Sequence, residues 1–328
     1  MRDQVAGDEN DAVGRPAGDA ERGGMKEACA WPVRTGVNSA EAIRPWKSQL
    51  LKWVGTKQGY AHEIIGHFPH AFGTYHQPFL GGGGVLGVLA PKRALAADSF
   101  APLIGIRDAL RDRLEALVAW YRNRWEAAEA PDRPGRATVY AEVRARFNAD
   151  RTPAGFIYLF RAAYGGVIRF RCRDRHMSTP VGQHRPIHPD KFAARVAAWR
   201  QRVQGMRFRV RDYRESFARA RAGDMVCCDP PYSHSQSILY GAQGGDLDDL
   251  FVRIERAKRR GVFVALSLDG AKKSGGVVCD RSWPDGLFDR EVAVNLGAAM
   301  LKRFRMEGHC LDGEQVVDRL LLTHPVRG

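Results

Sequence analysis

Acidic residues are scarce here relative to basic ones: 37 Asp and Glu stand against 51 Lys and Arg in 328 residues, a formal net charge of +14. That imbalance implies a polyanionic partner, without separating nucleic acid from an acidic membrane surface. Cysteine is sparse and unpatterned. Cys29, Cys172, Cys227, Cys228, Cys279 and Cys310 form no C-x-x-C pair, which argues against a zinc ribbon and a disulfide scaffold. No metal-ligand cluster is legible, so no metal is expected, and a reduced, cytoplasmic setting is the simpler one. No apolar run approaches the ~20 residues of a membrane span. The N-terminus also lacks a signal-peptide core, so no membrane partner is expected.

What is present centres on Asp229-Pro230-Pro231-Tyr232, reached through the apolar run Met225-Val226-Cys227-Cys228. Such a run reads as a buried strand, and two prolines forbid its continuation. A carboxylate beside the Pro230 carbonyl forms an acceptor-only pocket, and Tyr232 supplies a flat face. Two acceptors and a ring suit the exocyclic amino group of an extruded base. The same four residues also suit a strand-end turn capped by an acid.

Residues 1–42, rich in Gly, Asp, Glu, Ala and Arg without apolar periodicity, read as a disordered lead-in. Met25 is a second candidate start. Trp53 and Lys57 then flank Gly55, either as a lid over a ligand or as a core ring beside a surface cation. Tyr75 to Leu80 followed by Gly81–Gly84 and Val85-Leu86-Gly87-Val88-Leu89 has the order strand, glycine turn, helix. Glycines let the backbone approach a nucleotide, and a following helix presents free N–H groups. Arg93 to Asp98 reads as a second strand ending in an acid, where a carboxylate can take both ribose hydroxyls. Leu103, Ile106, Leu110, Leu114, Leu117 and Tyr121 recur at helical spacing. A second helix is expected through Val139, Val143 and Phe147.

Between Arg161 and Arg214 fourteen Lys and Arg meet only Asp174, Asp190 and Asp212. Arg161, Arg169, Arg171, Arg173 and Arg175, interleaved with aromatics, are the candidate phosphate contacts. Arg207 to Tyr213 alternates with strand period and ends in Asp212 and Tyr213. A helix over Leu247–Arg259, a buried strand over Val262–Ser267 and two final strands complete an α/β alternation.

The ordered motifs Lys52-Trp53-x-Gly55-x-Lys57, Pro78-Phe79-x-Gly81-Gly82-Gly83 and Asp229-Pro230-Pro231-Tyr232 resemble those of the Dam-type DNA adenine-N6 methyltransferases with the alpha motif arrangement. The resemblance spans roughly residues 45–325. It implies a Rossmann-like S-adenosylmethionine-dependent fold with an inserted helical target-recognition domain. The boundaries it suggests are 43–100 and 205–328 for catalysis and 101–204 for the basic insertion. It assigns Trp53, Lys57, Pro78, Phe79, Gly81, Gly83, Asp98, Asp212, Tyr213 and Asp229 to the cofactor. Asp229, Pro230, Pro231 and Tyr232 fall to the target base. Thr56 stands where the family has glycine, and Gly165-Gly166 where it has Asn-Gly. The implied partner is duplex DNA, the implied reaction is methylation of a flipped adenine, and a restriction-modification setting fits. A monomer suffices. RNA adenine methylation and a catalytically silent DNA- or cofactor-binding relic are the alternatives.

Overall fold

The computed structural model describes residues 38–39, 43–53, 55–129, 135–171, 173–231, 246–272, 277–278, 282–298 and 315–325. The backbone divides into a unit of residues 1–35 and a unit of residues 36–328, and all described residues lie in the second. Within the expected lead-in, Asn38–Ser39 is described as a short strand, β1, paired antiparallel with β2 (Ala71–Phe72). The expected break at 131–135 lies mostly outside the described residues.

A mostly parallel sheet forms the centre. β3 (Tyr75–Gln77) pairs with β4 (Ala94–Asp98) and β6 (Met225–Cys228). β4 pairs with β5 (Arg207–Val210), and β6 with β7 (Phe263–Lys272), all parallel. β8 (Val277–Val278) pairs antiparallel with β7. β10 (Gln315–Leu322) runs antiparallel between β7 and β9 (Arg290–Ala298), giving the order β5-β4-β3-β6-β7-β10-β9. The sequence explains these placements. Each residue of β6 is buried, Met225 and Cys227 in one apolar cluster and Val226 and Cys228 in another. A strand covered on both faces needs such a continuous apolar run. β5 instead alternates, with Phe208 buried and Arg207 and Arg209 exposed, as charged residues suit a sheet edge.

α1 (Ala61–Gly66) and α2 (Gly84–Leu89) contribute to the first cluster, together with the helices that follow β4. These are α3 (Ala101–Asp112), α4 (Leu114–Glu129), α5 (Gly135–Asp150), α6 (Pro153–Ala162) and α7 (Pro189–Arg202). The first cluster runs without a break from Leu86 and Ala96 to Phe147, Phe156 and Trp199, so the helical stretch shares the sheet's core. α6 is buried from Gly155 to Ala162, which its sequence G-F-I-Y-L-F-R-A matches except at Arg161. α8 (Tyr213–Arg219) and α9 (Leu247–Arg259) cover the opposite face. In α9 the Asp246 side chain caps the first turn by accepting from the Asp249 N–H. Leu250, Phe251, Ile254 and Ala257 form its buried stripe, and Arg256, Lys258 and Arg259 lie at the C-terminal end, where the helix dipole favours cations.

The chain goes from β3 outward through β4 to β5, then returns beside β3 as β6 before continuing to β7. The carboxyl ends of β3 and β6 therefore flank a topological switch point, where open α/β sheets bind their ligands. Pro78-Phe79 follows β3 and Asp229-Pro230-Pro231 follows β6. Motifs about 150 residues apart in the chain thus meet by topology alone.

Candidate active site

Asp229 follows the last residue of β6, with its side chain one-quarter exposed. Pro230 is buried and Pro231 half-buried. Tyr232, the expected flat face, lies outside the described residues. Asp229 Oδ1 is 3.5 Å from Lys57 Nζ, and Lys57 also donates to Asp318 Oδ2. Lys57 and Asp318 are 3 % and 2 % exposed. Ser267 Oγ donates to the same Asp318 oxygen at 3.3 Å. The carboxylate partners of Lys57 include two of the protein's own acids. One ammonium between two carboxylates carries a formal charge of −1, a field that favours a cation at this end of β6.

The glycine turn is built around Trp53. Gly81 and Gly83 have φ of +48° and +68°, which L side chains rarely adopt. A Cβ on Gly81 would stand 3.0 Å from the Trp53 indole nitrogen, and one on Gly82 2.9 Å from Trp53 Cβ. The ring and the turn thus form one wall. Asp98 ends β4 and holds the turn from the other side, Oδ2 accepting from Gly81 N–H at 3.0 Å and Oδ1 from Phe100 N–H at 2.9 Å. Burial raises the Asp98 carboxyl above its ordinary value, and the backbone N–H groups of Gly81, Phe100 and Leu80 oppose that rise. Each oxygen keeps a further lone pair for a ligand hydroxyl.

Phe79 and Tyr213 stack at 5.3 Å between centroids, with 28° between planes. Asp212 is exposed and caps α8 by accepting from Arg214 N–H at 2.9 Å. The Tyr213 hydroxyl donates to Asp249 at 2.6 Å, and Arg214 Nε donates to the same oxygen at 2.7 Å. Asp249, on α9, therefore fixes the Tyr213 ring. That hydroxyl, assisted by Arg253 and Arg214, holds the Asp249 carboxyl down at about 2, against a desolvation that acts upward. The folded value lies below the ordinary 3.8. Its contribution to stability is therefore full above that ordinary value and lost as pH falls towards the folded one. Asp249→Asn is expected to flatten that part of the acid-unfolding profile, as followed by circular dichroism. An unchanged acid limb would remove Asp249 from this linkage.

Cys227 and Cys228 precede Asp229 but offer no nucleophile. Both are buried, burial pushes the Cys227 thiol up to about 12, and Cys228 rises well above its ordinary range. A thiol held protonated does not attack a base carbon.

Arg161 is the one expected phosphate contact that the structure moves elsewhere. It is 5 % exposed and donates to the carbonyls of Gln49, at 2.7 Å, and Leu50. Its apolar helix α6 carries it inward, and burial lowers its guanidinium to about 10. Arg195 donates to Gln49 O, Arg202 to Gly87 O and Arg107 to Gly82 O, at 2.7–2.9 Å. These side chains tie the helical stretch to the segment before Trp53 and to the glycine turn. Arg169, Arg171, Arg173 and Arg175 are all exposed, in an excursion closed by the bridges Ala163–Val181 and Phe170–Met177. Within it Arg171 pairs with Asp174 through bonds of 3.1 and 2.7 Å.

Among the residues that sequence reasoning passed over, Asp318, Asp249 and Arg107 touch site elements directly. Only Asp318 left a readable signal, as an acid inside Val316-Val317-Asp318-Arg319-Leu320-Leu321-Leu322, where alternation places an apolar side chain facing the core with Leu320 and Leu322.

Sheet order and the chemistry gathered at its switch point are those of an α/β methyltransferase. Within that class the chain belongs to the D12 class N6 adenine-specific DNA methyltransferases, whose family model matches residues 53–250. It is 28 % identical over 231 residues to a DNA adenine methylase of Vibrio cholerae serotype O1, a stretch covering 66 % of this chain and 80 % of that protein. It is 30 % identical over 189 residues to a DNA adenine methylase of Salmonella typhi, 56 % of this chain and 64 % of that one. To the retron Ec67 DNA adenine methylase of Escherichia coli it is 28 % identical over 211 residues, 62 % and 70 % of the two chains.

Proposed function

We propose that the protein methylates the N6 amino group of an adenine extruded from duplex DNA, with S-adenosylmethionine as methyl donor. The observation that carries this is the acid-proline corner at the switch point, where Asp229 lies 3.5 Å from the buried Lys57. The side chains fit that donor. Asp98 offers spare lone pairs to ribose hydroxyls, Phe79 and Tyr213 offer an apolar wall with Asp212 beside it, and Trp53 backs the glycine turn of Gly81 and Gly83 after Pro78. The cluster of Lys57, Asp229 and Asp318, formally −1, suits a sulfonium centre. When bound, the donor supplies an electrophilic methyl group.

The chain's own work is positioning. An amino group conjugated to a purine is a poor nucleophile. Acceptors at Asp229 and the Pro230 carbonyl hold its two N–H bonds and direct its lone pair. Pro231 stiffens that corner, and Tyr232 supplies the stacking face. No step requires a metal or a covalent intermediate on the protein.

Residues 101–204 act in this reading as the recognition insertion, borne on the catalytic parts 43–100 and 205–328. The exposed arginines Arg169, Arg171, Arg173 and Arg175 meet phosphates. A restriction-modification setting is compatible with this activity. Arg169 and Arg173 lie outside the Arg171–Asp174 bonds that brace the turn. The pair Arg169→Gln and Arg173→Gln is therefore expected to leave the fold intact. The slope of log K against log salt for duplex DNA should become shallower by about 0.9 for each phosphate no longer neutralised. An unchanged slope would place the phosphates elsewhere. Transfer of labelled methyl groups to duplex DNA compared with RNA tests the substrate class. Label on DNA is expected, and label on RNA alone would favour the RNA alternative.

A further inference from the structure

The geometry points to Asp318 as a positioning residue for methyl transfer: by holding the Lys57 ammonium, it keeps Asp229 free to accept the amino hydrogen of the target base. This rests on the reading of Asp229 given above and extends it to a residue in the last described strand.

Lys57 sits unequally between its two acids. It makes a hydrogen bond to Asp318 Oδ2, whereas Asp229 Oδ1 is 3.5 Å away, an ion-pair distance too long for a strong N–H···O bond. Asp318 is oriented from three directions. The β10 register shifts between Val317 and Asp318, Leu320 and Leu322 fix the face on which it points inward, and Ser267 Oγ on β7 donates to it at 3.3 Å. An acid inside an apolar strand costs desolvation unless it is paired, and its partner is the cation beside the catalytic corner.

The consequence follows from valence. A carboxylate oxygen that receives a full charge-assisted bond from an ammonium is a weaker acceptor for an incoming amino group. With Asp318 in place, Lys57 contributes charge to Asp229 without occupying its lone pairs. With Asp318 neutralised, Lys57 swings the remaining distance onto Asp229, saturates it and blunts the amino-group acceptor. The chemical step should suffer more than substrate capture, because the DNA surface and the ribose-side acid Asp98 are untouched.

The test compares Asp318→Asn, Lys57→Met and their combination with Asp229→Ala, using single-turnover methylation of duplex DNA, S-adenosylmethionine affinity and DNA KM. Asp318→Asn is expected to lower the single-turnover rate about 10- to 100-fold, the scale of a weakened transition-state contact. Affinity and KM should move less than about threefold. If Asp318 acts through Lys57, adding Asp318→Asn to Lys57→Met should cost nothing further in rate, since residues acting as one unit are not additive. Equal costs with and without Lys57 would overturn the proposal, as would a wild-type rate in Asp318→Asn. Should Asp318→Asn prove too unstable to assay, Ser267→Ala reads the same link: a two- to fivefold fall in rate supports it and an unchanged rate overturns it. The Asp229→Ala arm separates the two failures. If that variant stays active, the reading of the corner itself is wrong. If it is inactive while Asp318→Asn is normal, only the role of Asp318 is lost.

Discussion

Asp229→Ala is expected to abolish measurable methyl transfer while leaving the protein folded and able to bind DNA. The side chain is one-quarter exposed and follows the end of β6, so its methylene packs little core. Its loss also leaves no orphaned cation, because Lys57 keeps the Asp318 carboxylate. What disappears is one of the acceptors that orient the reacting nitrogen, an effect of about 3–4 kcal/mol, or several hundredfold in rate. Single-turnover methylation with saturating cofactor measures it directly. A substrate with an abasic site opposite the target adenine lowers the cost of base extrusion. It should partly rescue Tyr232→Ala, which loses only stacking, and should not rescue Asp229→Ala. A near wild-type rate in Asp229→Ala would reduce the corner to a structural turn.

Lys57→Met carries the largest expected loss of stability. Lys57 and Asp318 are both almost fully buried, so removing the ammonium strands the Asp318 carboxylate in the interior with Asp229 as a like-charged neighbour. Breaking one side of a buried pair costs about 3–5 kcal/mol, because the remaining charge stays desolvated. Denaturant unfolding should show that shift. Adding Asp318→Asn should recover most of it, since the buried charge then disappears with its partner. A loss below about 1 kcal/mol for Lys57→Met alone would mean that water reaches the pair and that it behaves like a surface ion pair.

The parts of this architecture legible in the sequence are those with a periodicity or a stop. Met225–Cys228 is a strand because four apolar residues meet two prolines, and Leu247–Arg259 is a helix over the expected residues because its stripe and cap are both written locally. Asp98 was readable as a strand-end acid, and it does face the glycine turn through Gly81. Long-range pairing was not readable. Asp318 meets Lys57 across 261 residues, through the insertion of an antiparallel strand between β7 and β9 and a shift in its register. No local pattern encodes either. Arg161 misled for a related reason. Charge density along the chain counts an arginine wherever it falls, but the helix face decides whether it meets phosphate or, as here, backbone carbonyls in the core. Tyr213 reads as an aromatic after an acid, yet its hydroxyl finds Asp249 only because α8 and α9 lie side by side.

The central claim is that the corner at Asp229 delivers the amino nitrogen of adenine for methylation. Nucleoside analysis of DNA from cells expressing the wild-type chain or Asp229→Ala tests it most directly. N6-methyladenine is expected in the first and not in the second. Its absence from both, its equal presence in both, or methylation of another base would contradict the account.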